Sequence, residues 1–211
     1  MKNIELLAPA GNMDNLKAAL NAGADAIYLG TKQFNARGKV QNFDFEELKT
    51  ATDLAHLYNA RVYVTINTLI FDEEMQDIFD VVRKSINANV DAFIVQDLGL
   101  AYALKQKFEG IELHASTQMG INNVAGAKIA QKLGFSRIVL SRETPLDEIK
   151  KIHEQTNLEI EYFIQGALCV CSCIFFISSS GVSRERTIRE KPSFCAIFAP
   201  ATLFIPICVL A

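Results

Sequence analysis

Cysteine is missing from the first 168 residues: all five, Cys169, Cys171, Cys173, Cys195 and Cys208, lie in the last fifth of this 211-residue chain. That distribution excludes a disulfide framework stapling a whole small fold and leaves a local metal or cluster site as the sharper alternative. An excess of one charge is missing too. With 21 Lys and Arg against 24 Asp and Glu, a net charge of −3, there is no dominating basic field, so nucleic-acid binding would need a local basic patch. At 50% hydrophobic and 21% charged residues, the composition is not that of a disordered chain. Met1–Leu7 lacks the pattern of a secretory signal, since its apolar stretch is short and Glu5 interrupts it, and a cytoplasmic address is the expectation. No His-Glu-x-x-His motif occurs, and no Ser or Cys carries the signature of a nucleophile.

What is present is alternation. Short apolar, β-prone runs at Ile4–Ala8, Ala26–Gly30, Arg61–Asn67, Ala92–Asp97, Glu112–Ser116, Arg137–Ser141 and Glu159–Ile164 are separated by stretches of helical period at Met13–Ala22, Phe45–Tyr58, Glu73–Asn87, Leu98–Phe108, Val124–Leu133 and Leu146–Gln155. In the second helix Phe45, Leu48, Thr52, Ala55 and Leu57 are expected to form one mainly apolar stripe. Asn12 is placed to cap the first helix, Gly23 to end it, and Gly134 to follow the fifth. Seven buried strands separated by six helices demand right-handed parallel crossovers. A TIM-like (β/α) barrel accounts for them better than a doubly wound sheet, because Ala8-Pro9-Ala10-Gly11 stands where a dinucleotide-binding glycine fingerprint would follow the first strand. With seven strands recognisable, the barrel is expected to be incomplete.

Barrel chemistry is built at the C-terminal ends of strands, so polar residues there are the candidates. Asn67 ends the third run, Gln96 and Asp97 the fourth; His114, Ser116 and Gln118 belong to the fifth; Ser141, Arg142 and Glu143 follow the sixth; Glu161 lies within the seventh and Gln165 closes it. Each has a structural alternative. An Asn or Asp after a strand commonly serves a turn or caps a helix. Arg142 and Glu143 suit either a salt bridge or a grip on a substrate carboxylate. His114 is the one histidine near a strand end; it is either a buried, hydrogen-bonded residue or a proton shuttle. His56 and His153 fall inside helices as exposed or packing residues.

Several blocks resemble a known family. Glu5-Leu6-Leu7-Ala8-Pro9-Ala10-Gly11, Gly23-Ala24-Asp25-Ala26-Ile27-Tyr28-Leu29-Gly30, Phe34-Asn35-Ala36-Arg37, Val95-Gln96-Asp97-Leu98-Gly99, His114-Ala115-Ser116-Thr117-Gln118, Val139-Leu140-Ser141-Arg142-Glu143 and Glu161-Tyr162-Phe163-Ile164-Gln165-Gly166-Ala167-Leu168-Cys169 are similar, in order, to the U32 peptidase family of collagenase-like proteins. The resemblance implies a barrel-like catalytic half and, in intact relatives, a [4Fe-4S] cluster held by four cysteines. It also implies modification of tRNA or 23S rRNA bases, in some relatives with prephenate as co-substrate, or ubiquinone hydroxylation without oxygen; the historical label is protease. The His-Ala-Ser-Thr-Gln block reads most like the rRNA-hydroxylase branch. On that basis His114, Arg142 and Glu143 are assigned to catalysis. Asn67, Gln96, Asp97, Ser116, Gln118 and Glu161 are assigned to substrate binding, and Cys169 to the metal. RNA, or a small aromatic co-substrate such as prephenate, is the implied partner, with a peptide as the alternative.

The resemblance breaks where the cluster would be completed. Gln165 replaces a histidine, Ile174 and Phe176 stand where a Gly-x-Cys is wanted, and the later Asn-Arg-Gly-x-Cys block is missing. Only Cys169 carries over as a ligand, so this chain is not expected to assemble the cluster on the family's pattern. A site built from Cys169, Cys171, Cys173 and one later cysteine is the arithmetical alternative. A barrel domain over 1–169 and an atypical tail over 170–211 are expected. The tail is read as out of frame after an insertion or deletion near the codon for Cys171, or as closing the barrel with an eighth strand. Its uncharged end from Pro192 to Ala211 reaches membrane-helix length, but Pro200 and Pro206 argue against a stable helix. A truncated, non-catalytic scaffold is the non-enzyme reading, and a peptidase the second enzyme class.

Overall fold

A computed structural model describes residues 4–36, 42–165 and 207–210. Strands and helices alternate: β1 (Leu6–Ala10), α1 (Met13–Asn21), β2 (Ala26–Gly30), α2 (Phe45–Leu57), β3 (Arg61–Ile66), α3 (Met75–Asn87), β4 (Ala92–Val95), α4 (Leu98–Lys107), β5 (Leu113–Ala115), α5 (Val124–Lys132), β6 (Arg137–Leu140), α6 (Leu146–Gln155) and β7 (Glu159–Gln165). These seven strands pair in parallel, each with its successor. The expected (β/α) barrel is what the chain forms. It is incomplete as a TIM-type barrel in one respect: a short strand, β8 (Ile207–Leu210), stands in the eighth place and runs antiparallel to both β1 and β7, closing the ring.

The helices begin where their caps predict. Asn12 Oδ1 accepts from the Asn15 amide, and Asp44 and Glu47 form a reciprocal capping box on α2. Gly23 and Gly134, at φ +88° and +87°, supply the left-handed turn that ends α1 and α5. On α2 the buried face is Leu48, Ala51, Thr52 and Ala55. Leu57, expected on that stripe, is 80% exposed. It stands nine residues after Leu48, and at about 100° per residue that spacing puts it on the opposite side of the helix.

Strand alternation divides the core in two. Ala8, Ile27, Val62, Val64, Phe93, Val95, Leu113, Ile138 and Leu140 face the helices, while Leu7, Ala26, Tyr28, Tyr63, Ala92 and Ile94 fill the barrel. Interior positions are therefore odd-numbered on β1, β3, β6 and β7 and even-numbered on β2, β4 and β5. No helix among the described residues is long and apolar enough to cross a membrane.

Candidate functional site

Interior parity carries two polar groups of residues, one at each end of the barrel. The N-terminal group was not anticipated. Glu5, just before β1, accepts a hydrogen bond from Tyr63 Oη at 2.8 Å and one from Arg137 Nη1 at 3.2 Å, and its other oxygen pairs with Arg61. Arg137 is fully buried; it reaches Glu159 Oε2 through Nε at 3.0 Å and Nη2 at 2.7 Å, and lies 3.8 Å from Glu161 Oε2. Its guanidinium also stacks over the Tyr63 ring at 5.1 Å. Burial, with the Glu5 carboxylate beside it, pushes the Tyr63 phenol well above its usual range. Burial disfavours the charge of Arg137, but Tyr63, Glu161 and Glu5 outweigh that and hold it fully protonated.

His114 joins this group. It is fully buried, packs edge-on against Tyr63 with ring centroids 4.8 Å apart, and bonds through Nε2 to Glu112 Oε1 at 3.2 Å. Burial lowers its pKa to about 4, so at neutral pH the imidazole is neutral and Nε2–H donates to the carboxylate. Nδ1 is then a buried acceptor with no partner among the described residues. Glu112 also accepts from Ser136 Oγ, and the bond from His114 is the main reason its own pKa falls to about 2. His114 therefore faces the N-terminal end of the barrel, apart from the rim that carries Arg142 and Glu143. Glu161, 2% exposed, is likewise an interior residue beside Arg137.

At the C-terminal mouth the expected residues divide by role. Asp97 caps α4, its Oδ1 accepting from the Leu100 amide at 2.8 Å. Asn67 Oδ1 accepts from the Ala36 amide at 3.0 Å and so ties the β2–α2 connection to the end of β3. Ser116 is 4% exposed and its Oγ accepts from the Gln118 amide at 3.2 Å, capping a short 3-10 turn over Thr117–Met119. Gln118 itself is exposed. Gln96 is half-buried. Past β6, Tyr162 Oη donates to the carbonyl of Arg142 at 2.7 Å, and Ser141 and Thr144 hydroxyls meet at 3.2 Å. Glu143 is exposed; its own backbone amide and the Ser141 hydroxyl hold its carboxyl below the usual range.

The register aligns the first three of these. Ile66 pairs with Val95 and Val95 with Ala115, so the next residues, Asn67, Gln96 and Ser116, form one row across three adjacent strands. Neighbouring strands lie about 4.8 Å apart. Beside the row, Gly30 makes room for the mouth: a Cβ there would meet Asn35 Cγ at 2.8 Å and Asn42 Oδ1 at 3.0 Å. No group of three or more His, Cys, Asp and Glu among the described residues could hold a metal. Cys169, Cys171, Cys173 and Cys195, and the tail boundary at residue 170, lie outside the described residues.

A parallel barrel with a polar C-terminal mouth defines the class, and comparison with known proteins defines the family. The model of peptidase family U32 matches residues 11–186, and the chain belongs to that family. It is 39% identical over 186 residues to the 23S rRNA 5-hydroxycytidine C2501 synthase of Escherichia coli, covering 87% of this chain and 28% of that protein. It is 37% identical to tRNA hydroxylation protein P1 of Bacillus subtilis (80% and 40% covered), and 31% identical to a collagenase of Porphyromonas gingivalis (81% and 43%). The chain thus spans less than half the length of these relatives. Among solved structures it is similar to the U32 peptidase Mk0906, at TM-score 0.58 and 15% identity over 78% of this chain and 69% of that one. Phosphonopyruvate hydrolase, at TM-score 0.52 and 15% identity over 73% and 65%, shares the fold alone.

Proposed function

We propose that this chain is the substrate-holding barrel of a U32-type enzyme that hydroxylates a base in RNA. The observation that carries the reading is the 39% and 37% identity to proteins named for rRNA and tRNA hydroxylation. In this reading the substrate enters the C-terminal mouth. Gln96, Asn67 and Ser116 hold it, with Gln118, Arg142 and Glu143 on the rim, and Asp97 contributes by fixing the start of α4. His114, Glu112 and Glu161 act one layer below, setting the shape and charge of the barrel floor.

Hydroxylating a ring carbon withdraws two electrons from the base, so the reaction needs a redox partner. A [4Fe-4S] cluster is the redox group that the resemblance implies for intact relatives, but with Cys169 alone at a family ligand position this chain does not supply the ligands to assemble it; prephenate as a co-substrate belongs to the proposal. A cytoplasmic location follows from an RNA substrate. The net charge of −3 requires that contacts to RNA phosphates come from a local patch.

The test is expression of the chain in an Escherichia coli strain lacking its 23S rRNA 5-hydroxycytidine synthase, followed by mass spectrometry of rRNA and tRNA nucleosides. Reappearance of a hydroxylated pyrimidine supports the reading. Soluble protein with no such nucleoside overturns it for this chain alone. The relationship to a collagenase makes gelatin digestion the parallel assay, and cleavage that survives alkylation of the cysteines would favour the peptidase alternative without a thiol nucleophile.

A further inference from the structure

We infer that Phe34 is a positioning residue: its left-handed backbone, rather than its ring, seats the Asn35 side chain inside the barrel mouth, in the interior place that Gly30 leaves empty. The seat shapes the β2 side of the mouth whatever ligand enters there, so it stands apart from the hydroxylation reading.

Gly30 ends β2 two residues past the interior Tyr28, so a side chain there would point into the barrel. That place is already filled. A Cβ on Gly30 would stand 2.8 Å from Asn35 Cγ and 2.9 Å from its Nδ2, and Asn35 is only 7% exposed. The top of the barrel on this side is therefore lined by a carboxamide that comes from the β2–α2 connection and not from a strand. Bringing residue 35 back over residue 30 needs a tight reversal, and both ends of it are tied. Before the turn, the Thr31 carbonyl accepts from Asn35 Nδ2, Thr31 Oγ1 donates to the Gln33 carbonyl at 2.9 Å, and Thr31 bridges to Phe43. After it, the Ala36 amide donates to Asn67 Oδ1 at 3.0 Å, which makes Asn67 the strut on the far side. Phe34 lies between these anchors, and its φ of +59° absorbs the reversal.

Phenylalanine is an unusual residue for that task. The other non-glycine residues at positive φ among the described ones are Asn59 and Asn89. Each stands just past a helix end, where asparagine commonly takes the left-handed conformation. A bulky aromatic residue is disfavoured in it, because its Cβ crowds the following carbonyl. Backbone strain of this kind persists where the surroundings impose it. Here the two anchors fix the chain on either side, and the Phe34 ring packs against the core.

Native-state hydrogen exchange on the full 211-residue chain, read at the Ala36 and Phe43 amides, tests the assignment with Phe34→Asn, Phe34→Leu and Phe34→Val. All three lose the ring. Tolerance of the left-handed region ranks them Asn, Leu, Val, whereas apolar burial puts Phe34→Asn last. Rates are compared with those of Arg61 and Phe93, whose amides bond at the opposite end of the barrel, so that a general loss of stability is separated from loss of the seat. The expected result is slowest exchange in Phe34→Asn and exchange several-fold faster, up to roughly tenfold, in Phe34→Val. A slower Phe34→Leu or Phe34→Val, or three equal rates, overturns the inference. Adding Phe34→Val to Asn35→Ala should raise Phe43 exchange no further than Asn35→Ala alone, because Phe34 acts through the seated carboxamide; a fully additive rise also overturns it. Hydroxylated RNA in cells together with the wrong order of exchange would keep the proposed function and remove the seat. The expected order without hydroxylated RNA would do the opposite.

Discussion

Arg137 at the start of β6 donates from Nη1 to Glu5 Oε1 at 3.2 Å across the floor of the barrel, joining residues 132 apart in sequence. Both are buried, so the pair holds the β1 side of the ring to the β6–β7 side. Replacing Arg137 by Met removes a buried cation that lies between Glu5 and Glu161. Breaking such a pair from one side costs about 3–5 kcal/mol. Arg137→Met is expected to lower the urea midpoint accordingly, with Glu5→Gln/Arg137→Met losing less than the sum of the single changes. A single-variant loss under about 1 kcal/mol in equilibrium unfolding would show that the floor does not depend on it.

Acid should loosen the same floor. His114 has a folded pKa of about 4 against an ordinary 6.5 because burial disfavours its cation. The unfolded chain therefore takes up that proton first as pH falls. The contribution is complete above about pH 6.5 and lost through about pH 4, and is on the order of 3 kcal/mol in all. Glu112, held at about 2 by the bond from His114, contributes a further loss below its ordinary range. That loss is smaller because the side chain is 41% exposed and water screens it. Denaturant unfolding of the wild type at pH 7, 5 and 4, beside His114→Gln, should show the slope between pH 6.5 and 4 flattened in the variant.

Asp97 is expected to behave as a cap. Its side chain accepts from the Leu100 amide, so Asp97→Ala should cost about 1 kcal/mol of stability and Asp97→Ser should restore most of it. Equal urea midpoints for the wild type and Asp97→Ala in equilibrium unfolding would show that α4 does not depend on this cap.

Gly30→Ala tests the crowding at the mouth. The added methyl would press on the buried Asn35 side chain, whose amide donates to the Thr31 carbonyl. Overpacking of this kind costs about 1–3 kcal/mol, and hydrogen exchange should rise first at Phe43, whose amide bonds to the Gly30 carbonyl. Unchanged exchange at Phe43 would mean the connection yields freely.

The barrel was legible because each strand is an unbroken apolar run and each helix shows its caps. Asn12, Gly23 and Gly134 mark their helix ends without reference to anything distant. β1 was displaced: the run read as Ile4–Ala8 is the strand Leu6–Ala10, because Pro9 looks like a terminator, yet it takes a register position opposite Tyr28. The third helix was read from Glu73, whereas Asp72–Glu74 form a separate 3-10 turn before Met75. In the mouth, Asn67, Gln96 and Ser116 were legible from strand-end position alone. The floor was not. Glu5, Arg61, Arg137 and Glu159 open or precede strands, where a polar residue ordinarily signals solvent. Of these only Glu5 and Arg137 are buried, and each depends on the other from 132 residues away. The one local sign was the alternation Arg61, Tyr63, Thr65, Asn67 on β3, polar at every second position and so lining a single face.

The Arg137–Glu5 contact also sets a timetable. At about 5–20 residues per second, a ribosome needs roughly 7–26 s to make the chain between the two residues. For most of that interval Glu5 has Arg61 as its guanidinium partner, and the first five strands are complete before Arg137 is made. Whatever guards the nascent sheet from mispairing during the delay is part of how this barrel comes to exist.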